Sequence, residues 1–405
     1  MKVIEIQTIR NKTWSNYLWV QVRTDEGLVG LGETFRHTTS VATYIHDQLS
    51  EYLLGKDPRL VNAHANNLLN SGGNRFLGYP TRSVEIRANS AIDIALWDIK
   101  AKSVDLPLCD LLGGPVRSKI PIYNTCASPG YNSQASQQRA RLVTGDQAVS
   151  LNRNDDLEMQ IFAPGELAQS LLEEGINCMK IWPFDEAADK NQGARIGGAD
   201  MDKALSLIAE IRDTVGNEMD IMLEYHGLWR QAPARQIIQE VDNFAPFWHE
   251  DPISMTEIDE LAELRRWSKS PFAGSESHAT SAWTRDALKA GAIDYIHYDI
   301  GWIGGISEAL RVAHLAASYN KMIAPHDCTG PVVWAANLHL SLAIPNALIL
   351  ESVRGYYNGI YKKLVSTLPT ISDGFAHKMN GSGLGTSLSE ELLNHPDTEI
   401  QSSKI

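Results

Sequence analysis

Residues 220–229 read D-I-M-L-E-Y-H-G-L-W, and the fold is decided in this stretch. Ile221-Met222-Leu223 is a short apolar run of the kind a strand buried on both faces needs, and Gly227 closes it. Side chains alternate along a strand, so Glu224 and His226 share one face at its C-terminal end. The pattern of an apolar strand ending in a carboxylate returns in F-W-H-E-D-P (247–252) and F-A-G-S-E (272–276). Glu250 follows Glu224 by 26 residues and Glu276 follows by another 26, then Asp299 by 23, His326 by 27 and Glu351 by 25. A β/α unit of a barrel of about 250 residues takes roughly 30, so one chemical side chain falls at each strand end.

Working outward, strand ends are expected at Cys126, Trp182, Glu224, Glu250, Glu276, Asp299, His326 and Glu351, with amphipathic helices between them. Met201–Val215 is the clearest helix: Ala204, Leu207, Ile208 and Ile211 line one face and Gly216 stops it. Eight strands alternating with helices favour a parallel barrel. An open doubly wound sheet is the alternative, but no G-x-G-x-x-G follows a first strand. Ahead of the barrel, residues 3–9 alternate as a half-buried strand, 17–33 read as a hairpin turning at Asp25-Glu26-Gly27, and 83–102 carry a helical period, an α+β opening unit. The segments 72–80 and 127–165 read as loops, the second lying over the barrel mouth. The glycines at 381–385 lack the lysine of a phosphate loop and read as a turn.

The chain has 405 residues, an apolar fraction of 43% and a formal charge of −13. That acidity argues against nucleic acid or an anionic membrane as a partner. Cys109, Cys126, Cys178 and Cys328 are widely spaced with no C-x-x-C pair, so neither a zinc knuckle nor a disulfide framework is indicated. The opening M-K-V-I-E has no signal-peptide pattern and no uncharged run is long enough to span a bilayer, so a cytoplasmic enzyme is expected.

Three carboxylates converging on one mouth would repel one another unless neutralised, and hard oxygen ligands suit Mg²⁺ or Mn²⁺. Glu224, Glu250 and Glu276 are therefore the expected metal ligands. A lone glutamate at such a position is most often a cap or surface residue; three in register after apolar strands are not. Asp299, in Y-I-H-Y-D-I-G, lies one strand from His326, in A-P-H-D-C, and can orient it as a base. Lys180, in C-M-K-I-W-P, ends a strand where a cation can reach a substrate carboxylate.

These residues resemble the mandelate racemase subgroup of the enolase superfamily along nearly the whole chain. The resemblance is carried by D-E-G-L-V-G-L-G-E (25–33), S-A-I-D-I-A-L-W-D-I-K-A-K (90–102), L-L-G-G (111–114), Lys180, Glu224, E-D-P (250–252), Glu276, the D-x-x-x-x-G-G run at 299–305 and A-P-H-D (324–327). It implies a modified TIM barrel, (β/α)₇β, of α/β class with an α+β capping domain. The expected division is a cap at 1–119, the barrel at 120–355, and a segment at 356–405 that packs back on the cap. It implies Mg²⁺ on the three glutamates, a His326–Asp299 dyad and a homo-oligomer. Three departures stand out. The first ligand is Glu224 where relatives carry aspartate. Trp182 replaces the second lysine of the usual K-x-K, which racemases use as a base. His226 resembles the pattern of galactonate, gluconate and mannonate dehydratases.

The chemistry that fits is removal of the proton α to a carboxylate. His326 takes the C2 proton while Asp299 holds its imidazole, and His226 donates to the departing 3-hydroxyl, giving a 2-keto-3-deoxy acid from an aldonate or aldarate. Lys180 pairs with the substrate carboxylate. Glu351 either hydrogen-bonds that carboxylate when protonated or is a structural acid. A racemase or epimerase, a cycloisomerase working through the same enolate, and a non-catalytic sugar-acid binding protein are the rival readings. For substrate contacts the resemblance points to the cap segments Asn11–Asn16, Arg36-His37 and 72–80, while Trp182, Tyr225, Trp302 and Tyr356 are the aromatics that either line the pocket or, as is commoner at strand ends, serve packing.

Overall fold

The computed structural model describes residues 1–69, 83–130 and 152–405, so the loop at 72–80 and most of the expected mouth loop lie outside the described residues. Strands β1 (Val3–Asn11), β2 (Tyr17–Thr24) and β3 (Val29–Phe35) form an antiparallel meander, the register Trp19↔Glu33 bringing an indole beside a carboxylate. The helix Val84–Lys102 lies across β3 and is buried along most of its length, from Ile86 to Ala101.

The barrel strands are β4 (Lys119–Thr125), β5 (Cys178–Ile181), β6 (Asp220–Glu224), β7 (Trp248–Glu250), β8 (Phe272–Gly274), β9 (Tyr295–Ile296), β10 (Met322–Ile323) and β11 (Leu350–Ser352). Neighbours in sequence pair in parallel from β4 to β10, and β11 pairs in parallel with β4. Closure is completed where Ile323 bonds to Asn346 and Leu348, each at 2.9 Å. Helical crossovers join every consecutive pair, which gives (β/α)₇β. Tyr123, Met222, Trp248, Ala273, Ala324 and Ile349 fill the barrel interior. Met222 and Trp248 stand two residues before Glu224 and Glu250, so the pleat aims both carboxylates inward, one layer nearer the mouth.

The tail touches both units. The hairpin β12 (Ile371–Ser372) and β13 (Phe375–His377) pairs with the start of β4, and β14 (Thr398–Lys404) adds to the cap sheet beside β1. One expectation is corrected: residues 127–165 are not all loop. Asp155 caps a helix at Asp156–Phe162, its side chain accepting from the backbone N–H of Leu157 at 3.1 Å, and a second helix with proline at its start runs Pro164–Glu173. The helix expected from Met201 begins one turn earlier, as Gly198–Val215. No described helix is long and apolar enough to cross a membrane.

Candidate active site

Glu224 and Glu250 are direct partners in the β6–β7 register, and Glu276 lies two residues beyond β8. One oxygen from each of the three lies within 4.8 Å of the others. Glu224 turns back on its own chain: Oε1 accepts the N–H groups of Tyr225 (2.9 Å) and His226, helped by a left-handed backbone at His226 (φ 50°). That leaves Oε2 buried with no hydrogen-bond partner. The longer arm is thus taken up by the turn, and one oxygen remains to serve as a ligand.

Lys180 Nζ lies inside the cluster, 2.8 Å from Glu250 and 2.9 Å from Glu351, with Glu224 at 3.9 Å. Trp248 donates its indole N–H to Glu250 at 3.0 Å, and His297 Nδ1 lies 3.2 Å from the same carboxylate. Burial opposes charge on all of these groups. Lys180 and His297 nevertheless hold Glu250 well below the ordinary carboxylate range, whereas burial and the Glu250 charge push Glu224 up. Burial also works against the Lys180 ammonium, but Glu250 and Glu351 hold it protonated. Carboxylates outnumber the cations between them and one buried oxygen is orphaned. An all-oxygen donor set of this kind fits a hard divalent cation.

Across the mouth, His326 Nδ1 is 2.8 Å from Asp299, whose other oxygen accepts the Gly301 N–H at 2.7 Å. Nε2 faces the cluster, 2.7 Å from Glu276. Burial disfavours the imidazolium, but Glu276 and Glu351 raise its proton affinity well above the ordinary histidine value. Glu351 accepts from the Thr125 hydroxyl and from the Asp327 N–H at 2.9 Å. Burial would raise its pKa, yet Lys180 and His326 hold it below the ordinary value.

His226 stands on the other side, its side chain 38% exposed, with Nδ1 2.6 Å from Asp185 and its ring edge-on to Trp182 at 5.8 Å. Desolvation disfavours its charge, but the Asp185 carboxylate more than offsets this and lifts it to about 9. The chain therefore offers one imidazole–carboxylate pair on each flank of the acid cluster.

The expected substrate contacts divide. Trp302 packs against His326 with ring centroids 5.5 Å apart. Arg36 and His37 follow β3 with left-handed backbones (φ 65° and 53°), the Arg36 guanidinium lying 5.6 Å from the Phe35 ring. Tyr225 serves packing: it is 1% exposed, stacked on Phe184, and bonded through its hydroxyl to His249 at 2.8 Å. Tyr356 is likewise buried, against Tyr361. Asn11 is buried and closes the turn after β1 by accepting from Thr13 and Trp14. Asp185, His297 and Thr125 escaped the sequence reading. Only His297 had a local signal, two residues before Asp299 on the same strand parity.

Residues 164–392 match the family model described as enolase C-terminal domain-like. Residues 4–113 match the mandelate racemase/muconate lactonizing enzyme N-terminal domain. The chain is 28% identical to a D-galactonate dehydratase of Pectobacterium atrosepticum over 97% of this chain and 94% of that enzyme. A crystal structure of a mandelate racemase subgroup enolase from Agrobacterium tumefaciens superposes with a TM-score of 0.87 at 38% identity, covering 100% of this chain and 99% of the other. An enolase protein from Sargasso Sea environmental sequencing superposes with the same TM-score at 33% identity, again over 100% and 99%.

Proposed function

The chain belongs to the mandelate racemase subgroup of the enolase superfamily, and from that footing we propose that it is a metal-dependent hydro-lyase of a sugar acid. The observation that carries this reading is the pair of imidazoles on opposite flanks of the carboxylate cluster, His326 with Asp299 and His226 with Asp185. A dehydration needs one group to take a proton and another to give one to the leaving oxygen.

Glu224, Glu250 and Glu276 would hold Mg²⁺ or Mn²⁺, which when bound supplies Lewis-acid polarisation of the substrate carboxylate. With Glu276 engaged in that ligand set, His326 Nε2 is the nitrogen left to face the substrate, while Asp299 on Nδ1 fixes the ring. His326 takes the C2 proton, and the C–H electron pair passes into the C1–C2 bond as an enolate. That pair then forms the C2–C3 double bond as the C3–O bond breaks, and His226 gives its proton to the departing hydroxyl, which leaves as water. The enol so formed tautomerises to the 2-keto-3-deoxy acid. Lys180 keeps the proton it has, since Glu250 and Glu351 flank it, and pairs electrostatically with the substrate carboxylate. Trp182 stands where racemases carry a second lysine as base, which disfavours the epimerase reading. The relative named D-galactonate dehydratase supports the substrate class.

The test is a panel of hexonic, pentonic and aldaric acids assayed with Mg²⁺. At least one member should yield a 2-keto-3-deoxy acid. Accumulation of a C2 or C3 epimer with no keto acid from any member would replace this reading with epimerisation.

A further inference from the structure

Arg87 reaches the rim of this site from the cap. It lies in the first turn of the helix Val84–Lys102, and its Nη1 donates to the Phe35 carbonyl at the end of β3. The guanidinium carbon lies 4.2 Å from the centroid of the Trp302 ring, which in turn lies 5.5 Å from the His326 ring. Thr34 bonds the Gly301 carbonyl at 2.7 Å, so the end of β3 is anchored to the turn that carries Trp302. Cap and base are thereby joined through one indole.

Two buried donors here have no acceptor, Arg87 Nε and Trp302 Nε1. Both side chains keep part of their surface open. Neither group can accept a hydrogen bond, so these two side chains present donors only. A terminal hydroxymethyl group would bring a donor of its own that neither residue can receive. A carboxylate brings acceptors alone and a charge opposite to the guanidinium. Desolvation pulls the Arg87 pKa down to about 10 and the Arg36 charge pulls the same way, against Asp299 and Glu276, so an arriving anion relieves an environment poor in compensating charge.

We infer that Arg87 and Trp302 form the subsite for the far end of the substrate and that this end is a carboxylate, which makes the substrate an aldaric rather than an aldonic acid. The inference rests on the sugar-acid reading above, with the reacting carboxylate at the acid cluster and the remote one at the cap.

The experiment uses matched pairs that differ only at the terminal carbon, galactonate with galactarate and gluconate with glucarate, in the presence of Mg²⁺. Binding is read by calorimetry in the His326→Asn background, which should not turn over, and kcat/KM is read in the otherwise unaltered protein. An aldarate should bind about 10²-fold more tightly than its aldonate partner. Arg87→Met should erase that margin, mostly through KM, and leave aldonate binding within about threefold, while Arg87→Lys restores part of it. Equal affinity for both members of each pair, or an Arg87→Met loss that falls equally on both, would overturn the subsite. If no pair yields a keto acid the hydro-lyase reading fails instead, and the calorimetric margin still decides the role of Arg87.

Discussion

Two groups of buried acids among the described residues, one at the joint between cap and barrel and one at the mouth, are treated in opposite ways. At the joint between cap and barrel, every acid is answered by a donor of its own. Glu33 accepts from the Trp19 indole at 2.6 Å and from the Val332 and Val333 N–H groups at 2.8 Å, at the start of the helix Pro331–Ala343. Asp93 accepts from the Ser307 N–H (2.9 Å) and hydroxyl (2.6 Å). Asp98 accepts from Leu31, Leu384 and Lys102. Each also lies against a glycine: a Cβ at Gly330, Gly305 or Gly383 would come within 2.3, 2.4 or 2.0 Å of the respective carboxyl group. At the mouth, by contrast, Glu224, Glu250, Glu276 and Glu351 compete for Lys180 and His326, and one Glu224 oxygen accepts no hydrogen bond, its nearest cation being Lys180 at 3.9 Å. Buried acids that are fully answered hold structure together, and buried acids that share too few donors are arranged for a ligand.

The contrast can be broken most violently at the mouth. Chelation with EDTA should abolish turnover and Mg²⁺ should restore it, and Glu250→Gln should lose both activity and metal binding while remaining folded, since the amide keeps the size but removes a charge from the ligand set. Normal turnover by the chelated protein would show that the mouth acids need no cation. A smaller loss is expected one step out. Asp185→Asn should forfeit part of the about 10²–10⁴-fold that a general acid contributes, because His226 loses both its orientation and the charge that keeps it protonated. C2 exchange should survive in that variant, and an unchanged kcat would mean the Asp185–His226 contact is incidental.

At the joint the expected effect on turnover is the smallest, and what changes is stability. Burial raises the Asp93 carboxyl from its ordinary 3.8 to about 7 against its Ser307 hydrogen bonds. The folded chain then holds a proton the unfolded chain has released. This group's stabilisation is fully present below about pH 4 and is lost as pH rises through about 7, at up to about 1.4 kcal/mol per pH unit. The amide introduced by Asp93→Asn cannot titrate. Urea unfolding should therefore show the stability of the unsubstituted protein falling relative to that variant between about pH 4.5 and about pH 7.5. A difference that stays flat across that range would mean Asp93 is ionised throughout, held by its donors like any surface acid.

The acid ladder was legible because a barrel repeats: one strand and one helix consume about the same length each time, so chemistry at strand ends recurs in sequence. What the repeat does not govern was harder to read. Asp185 meets His226 across 41 residues from the first turn of the short helix Asp185–Asp189, where no barrel period constrains it. The helices at 156–173 were hidden because Asn154-Asp155-Asp156 continues a polar stretch, although Asp155 is itself the cap. Tyr225 follows parity: standing one residue from Glu224, it points away from the barrel interior and into the layer beneath the helices. Arg87 could not be found at all from spacing, since its relation to the site exists only because the cap helix docks on the turn that follows Asp299. The role of Glu351 turned on its neighbours, because only the structure places Lys180 and Thr125 against it.

The division of labour between the two histidines is the claim on which the account depends, and solvent exchange separates them. In D₂O with Mg²⁺ and an acid that the enzyme dehydrates, His326→Asn should lose both product formation and deuterium incorporation at C2, because no enolate forms. His226→Asn should lose product by about 10²–10⁴-fold yet still exchange at C2, because the proton can leave while the hydroxyl cannot. Exchange in His326→Asn with none in His226→Asn would reverse the two roles, and exchange retained in both would contradict the account and make Lys180 the base.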